Sequence, residues 1–163
     1  MFWRLVKTAI FTGIAPLSVG ILIPAWLEDR YGTPDVFLGM PTVIAGYIFL
    51  VYGIVLYLWC AWDFVRKGEG TPAPIDAPRK LVVSGPFRYV RNPMYVAVLC
   101  MIAAQVLHYF SKAVVVYFFS IFAAFHLFVL LYEEPHLRAV FGEEYQDYCR
   151  RVSRWLPRIR PAA

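Results

Sequence analysis

Residues 36–62 read VFLGMPTVIAGYIFLVYGIVLYLWCAW, a run without one charged side chain. It exceeds the roughly 20 residues an α-helix needs to cross the hydrocarbon of a bilayer. Three further apolar runs flank it: 5–27, interrupted by Lys7, Pro16 and Pro24, then 94–110 and 113–132. Over 163 residues the chain is 60% hydrophobic and 17% charged. Soluble domains average about 45–50% apolar and about 25% charged residues. The excess sits in long runs, so the expected fold is all-α: a polytopic membrane protein of about four transmembrane helices, forming one unit over 1–163. The first run follows basic residues, as a secretory signal does. It continues past signal length, however, and Ile23-Pro24-Ala25-Trp26 is no small-residue cleavage site, so it is read as a retained crossing. Runs three and four are joined only around Ser111 and Lys112, which implies an antiparallel hairpin. Trp3, Trp26, Trp59, Trp62, Tyr109 and Tyr132 near the run ends suit interfacial belts.

Charge gives the orientation. Fourteen basic residues lie at the start of the first run (Arg4 and Lys7), in the 63–92 connection or after the fourth run, while the opposite connections carry only Arg30 and Lys112. Both termini and the polar motifs are therefore expected on the cytoplasmic face. The net charge of +5 reflects this bias and points to anionic headgroups rather than nucleic acid. The 63–92 connection, with Gly68-Glu69-Gly70, Pro72, Pro74, Pro78 and Gly85-Pro86, is turn chemistry. In the tail, Leu137, Val140, Phe141, Tyr145, Tyr148 and Val152 recur at helical steps, which predicts an amphipathic surface helix with a break at Gly142. Cys60, Cys100 and Cys149 have no metal-like spacing and no disulfide framework; they read as packing thiols.

Two segments carry candidate chemistry. In Gly85-Pro-Phe-Arg-Tyr-Val-Arg91-Asn92-Pro93-Met94-Tyr95, Asn92 is a natural N-cap and Pro93 a natural first helical residue. Free amides at such a helix start favour an anion. Arg88 and Arg91 add positive charge, and Tyr89 and Tyr95 add aromatic faces with hydroxyl tips. The same residues would also serve as a plain capped helix with interfacial side chains. The second segment is Glu133-Glu134, at the expected cytoplasmic end of the fourth crossing. Adjacent carboxylates there repel each other and oppose the helix dipole, so they need a partner or a task. Binding a cation is one task; pairing with Arg91 or Arg138 is the structural alternative. His126, seven residues earlier, would share a helix face with Glu133, although such a histidine more often only packs.

Arg91-Asn92-Pro93-Met94-Tyr95 followed, one hairpin later, by Tyr132-Glu133-Glu134-Pro135 resembles the membrane methyltransferase superfamily of isoprenylcysteine carboxyl methyltransferases and phospholipid N-methyltransferases. Phe141-Gly142-Glu143-Glu144-Tyr145 and Trp155-Leu156-Pro157 resemble its carboxyl-terminal pattern, and the match runs roughly over 68–157. The resemblance implies a methyltransferase using S-adenosylmethionine, bound within 68–157. It implies cofactor contacts from Leu81, Val82, Gly85, Tyr89, Asn92, Pro93, Tyr95 and His126, and from Tyr145, Tyr148 and Arg151 on the tail. Glu133 or Glu134 would hold the cofactor's charged end, and Arg91, Glu133 and Glu134 would be the catalytic set. The acceptor would be a lipid or lipidated molecule reached from the bilayer, with no metal. Isoprenylcysteine enzymes usually carry His at the position of Asn92, and Asn cannot accept a proton as His does. Two other classes stay open on the residues alone: a nicotinamide-dependent membrane reductase of the sterol-reductase type, and a non-catalytic helical membrane protein.

Overall fold

The computed structural model describes residues 14, 16–32, 39–64, 66 and 80–158. The start of the first apolar run and the Gly68-Glu69-Gly70 turn lie outside them. A π-helical turn, Ser18–Leu22, leads into α1, Ile23–Tyr31. Then come α2, Met40–Asp63, a 3-10 turn, Gly85–Arg88, and α3, Pro93–Tyr109. Next are α4, Lys112–Phe128, a second π turn, Val129–Glu133, and α5, Glu134–Arg151. Among the described residues there is no β-strand, only one parallel bridge between Val90 and Ser153.

Local sequence accounts for the ends and irregularities of these helices. Pro41, Pro86 and Pro93 each stand within the first two positions of an element that follows non-helical backbone, where their missing N–H costs nothing. Both π turns stop two residues short of a proline, Pro24 or Pro135. A proline ring clashes with the carbonyl four residues before it, and the wider π turn relieves that clash without ending the helix. The helix of the fourth apolar run therefore does not end at the paired glutamates but continues through them as far as the kink at Gly142. The dipole penalty expected for Glu133 and Glu134 presumed a helix end that is absent. At Gly142 the backbone does leave helical space (φ 54°, ψ −124°), after which the helix resumes.

Two helical stretches, Met40–Asp63 and Lys112–Arg151, are long and apolar enough to cross a membrane; α3 is shorter at 17 residues. Only Phe110, in the left-handed region (φ 51°), and Ser111 separate α3 from α4, giving the expected hairpin. α3 is the innermost helix: Ala97, Val98, Met101, Ile102 and Ala104 are all buried. α2 comes close to it through small residues. A β-carbon on Gly53 would stand 2.7 Å from the Ala97 carbonyl, and one on Gly46 3.2 Å from that of Ala104. Close backbone approach of this kind brings van der Waals contact where the hydrophobic effect is weak. α4 buries only Val114, while Val116, Phe119 and Leu127 are exposed, as are Ile48, Val51, Val55 and Leu58 on α2. Apolar surface of this extent suits lipid. The helix α5 turns Tyr145 and Tyr148 inward against Val152, with Leu81, Leu137 and Phe141 around them, so part of its apolar face is covered by the chain itself.

Candidate active site

A cavity of about 480 Å³ opens where the end of α2, the 3-10 turn, the start of α3 and the end of α4 meet. Its walls are mostly apolar: Pro16 and Val19 from the helical segment before α1, Tyr57 and Phe64, Phe87, Met94 and Val98, and Ala124, Phe125 and Phe128. The polar part is confined to one edge formed by Arg91, Asn92, Tyr95 and Glu133, beside Pro93. Sites for organic ligands share this character, with a volume of roughly 300–1,000 Å³ and a few polar groups that fix orientation.

The edge is built in two halves. In the first, the Tyr95 hydroxyl donates to Glu133 Oε2 at 2.8 Å, and its ring leans on Phe125 with centroids 4.7 Å apart. In the second, Glu134 turns away from the cavity, is 2% exposed, and gathers three arginines. Arg154 binds it in bidentate fashion, Nε to Oε1 at 2.6 Å and Nη2 to Oε2 at 3.0 Å. Arg91 Nη1 stands 3.3 Å from Oε1, and Arg138 Nη2 donates to Oε2 at 3.3 Å. Burial alone would raise the Glu134 carboxyl, but the Arg154 hydrogen bonds and the charges of Arg91, Arg154 and Arg138 outweigh it and hold the carboxyl below its ordinary value. Arg91 also reaches Cys149 Sγ, and its buried Nε has no hydrogen-bond partner among the described residues.

The tail holds this arrangement in place. Residues 152–158 lie alongside 89–92, with Arg91 N donating to Ser153 O at 2.9 Å and Arg158 N to Tyr89 O at 3.0 Å. Asn92 is the residue before α3, as its position suggested, yet its side chain does not cap the helix. Its Nδ2 donates instead to Arg154 O at 3.1 Å, because the tail brings a carbonyl there. Gly85 is required by both conformation and space: its φ is +55°, and a β-carbon would stand 2.4 Å from Asp63 Oδ2. The same buried carboxylate accepts from Ser84 Oγ at 3.2 Å, and Tyr148 donates to Phe87 O at 2.7 Å, so the turn that carries Phe87 into the cavity wall is held from both sides.

Of the residues singled out in the sequence, Arg91, Asn92, Pro93, Tyr95 and Glu133 line the cavity together. The others do not line it. Val82 packs with Cys60 and Phe87, and Leu81 with Tyr145 and Tyr148. Burial pushes the Tyr145 and Tyr148 phenols up, which keeps them protonated, as the hydroxyl that Tyr148 gives to Phe87 requires. Tyr89 is exposed, and Arg151 lies on the outer surface of α5 with Nε directed to Asp147 O. His126 accepts from Trp155 Nε1 at 3.0 Å and leaves the cavity edge to Glu133. Seven residues make two helical turns only in a regular α-helix; the intervening π turn adds about one residue, a rotation of roughly 100°.

Sequence reasoning missed Arg154 and Asp63, and took Trp155 only as part of the carboxyl-terminal resemblance, without its contact to His126. Arg154 was one basic residue among six in a tail, Asp63 marked only the end of an apolar run, and neither carries a local signal of its distant partner. The cavity wall residues Phe87 and Phe125 were equally silent among 13 phenylalanines.

Chemically, the edge offers the Glu133 carboxylate, oriented by the Tyr95 hydroxyl, and the side chain of Arg91, held by Glu134. A cation suits the first and an anionic or carbonyl oxygen the second. The family model described as phospholipid methyltransferase matches residues 41–144, which include α2, α3, α4 and the start of α5. No curated protein and no solved structure matches the chain.

Proposed function

The chain belongs to the phospholipid methyltransferase family, and on that premise we propose that it transfers a methyl group from S-adenosylmethionine to a lipid or lipidated acceptor. The observation that carries the reading is the cavity edge, where Arg91, Asn92, Tyr95 and Glu133 stand together against mostly apolar walls. The donor set fits the cofactor. Glu133 suits its ammonium or sulfonium charge, the Arg91 N–H suits its carboxylate, and Tyr57, Phe87 and Phe125 suit its adenine. When bound, S-adenosylmethionine supplies a methyl group activated on a positively charged sulfur.

The chain's own residues do the rest. Apolar walls from four helices exclude water and hold donor and acceptor in line, and in-line displacement needs little beyond alignment. Tyr95 fixes the Glu133 carboxylate by its hydroxyl, and Glu133 takes the proton from an amine acceptor or pairs with a cation beside it. Arg91, clamped by Glu134, orients an anionic group of cofactor or acceptor. Arg91, Glu133 and Tyr95 are the residues proposed to touch ligand. Leu81, Val82, Gly85, Tyr145 and Tyr148 support the turn and tail behind them.

The same reading sets the chain in a membrane with four crossings, the described part of the first ending near Trp26. The basic bias puts the termini and the cavity mouth at the cytoplasm, with α5 lying along the surface. A soluble cofactor then enters from the cytoplasm and an apolar acceptor from the bilayer.

The test is titration calorimetry of S-adenosylhomocysteine into detergent-purified protein, with Glu133→Gln beside it. Saturable binding by wild type, weakened in a variant that keeps its melting temperature, is expected. A folded wild type that takes up no S-adenosylhomocysteine would sink the proposal, and uptake of a nicotinamide cofactor instead would replace it with reduction.

A further inference from the structure

The contacts at the cavity edge depend on residues beyond the stretch that matches the family, which ends at 144. Arg154 lies ten positions further on and does not line the cavity. Its guanidinium nevertheless occupies both oxygens of Glu134, at 2.6 and 3.0 Å. Planar, bidentate binding fixes the carboxylate plane in a way that a single contact cannot. The carboxylate so fixed meets Arg91 through Oε1 at 3.3 Å, and Arg91 is a residue of the cavity wall. The main chain of Arg154 contributes independently, since its carbonyl accepts from Asn92 Nδ2 at 3.1 Å. Arg138, the third partner of Glu134, is half-exposed and one turn away on the same helix, so it offers no equivalent fixed contact.

We infer that Arg154 is a positioning residue: through the two oxygens of Glu134 it sets the Arg91 guanidinium at the cavity edge, making the 152–158 tail a working part of the site. The idea concerns the arrangement of this chain's own residues, and only its binding readout rests on the methyl-transfer reading. Removing Arg154 frees Glu134 to rotate, and Arg91 then follows the carboxylate or moves to solvent.

Two measurements test this in full-length protein. In the first, arginine side chains are labelled with ¹⁵N, and the Arg91 Nε–H signal is assigned by its loss in Arg91→Lys. It should be protected from solvent exchange in wild type, shift and lose protection in Arg154→Gln, and change less in Arg154→Lys, which keeps the charge but not the fork. An Arg91 signal unchanged in folded Arg154→Gln overturns the inference. In the second, S-adenosylhomocysteine affinity is measured around the cycle of Arg154→Gln and Arg91→Lys. Arg154→Gln should weaken binding roughly tenfold alone and add little in the Arg91→Lys background, because both act through one contact. Effects that multiply in full would show Arg154 to be merely structural and overturn the inference. Failure of folded wild type to bind S-adenosylhomocysteine would count against the methyl-transfer reading alone, with the Arg91 signal still deciding the role of Arg154.

Discussion

Glu133 and Glu134 are chemically identical neighbours in opposite surroundings. Glu133 stands on the cavity edge with a tyrosine hydroxyl; Glu134 faces the tail and is held by three arginines. A buried carboxylate that shares three guanidinium groups is a structural hub, because the arginines depend on it as much as it depends on them. A carboxylate that faces a cavity with one neutral partner retains capacity for a ligand. The difference teaches that adjacent carboxylates can be set to different ends: one is taken up by the tail and its arginines, and the other is left on the cavity edge.

The strongest way to break that comparison is Glu134→Gln. It leaves the largely buried Arg91 and the partly exposed Arg154 without their counter-charge, which costs about 3 kcal/mol, the lower end expected for a broken buried pair, to be read from thermal unfolding in detergent. The same hub gives a pH signature. The folded Glu134 carboxyl lies below its ordinary value of 4.5, so the unfolded chain binds more protons between the two values. Its stabilisation should be complete above 4.5 and be lost as the pH falls through the lowered folded value, whereas Glu134→Gln should be flat across that window. Equal acid sensitivity of the two proteins would deny the hub its role.

Glu133→Gln should do the reverse. Its stability should stay within about 1 kcal/mol of wild type, while ligand affinity or methyl transfer falls roughly tenfold, about 1.4 kcal/mol. Unfolding of this variant at the temperature of Glu134→Gln would erase the distinction between the two. Tyr95→Phe sharpens it: losing the hydroxyl that orients Glu133 should cost about 1 kcal/mol, visible as weaker binding with the Glu134 pH window untouched. Arg138→Ala should matter least, at about 0.3–0.5 kcal/mol, since its contact with Glu134 is a half-exposed pair one turn along α5. A larger effect would mean that the hub rests on Arg138 rather than on Arg154.

Much of the architecture was legible because it depends on short-range order. The uncharged run 36–62 became α2, the Ser111 region became a tight hairpin, Asn92-Pro93 began α3, and Gly142 broke the tail helix. Part of the candidate site was legible for the same reason: Arg91, Asn92, Pro93 and Tyr95 fall within one turn of a helix start, so proximity in sequence guarantees proximity in space. The paired expectation for His126 and Glu133 failed because it presumed a regular helix, and a π turn before Pro135 rotated one relative to the other.

By itself, then, the sequence determined the apolar lengths, the turns and the chemical groups at the polar end, because hydrophobic run length and proline and glycine geometry act locally. Only the tertiary structure decided which glutamate faces the cavity and that Arg154 and Asn92 belong to one arrangement. Those outcomes turn on a helical rotation of roughly 100° and on contacts spanning 20 and 62 residues, which the composition of the tail does not encode.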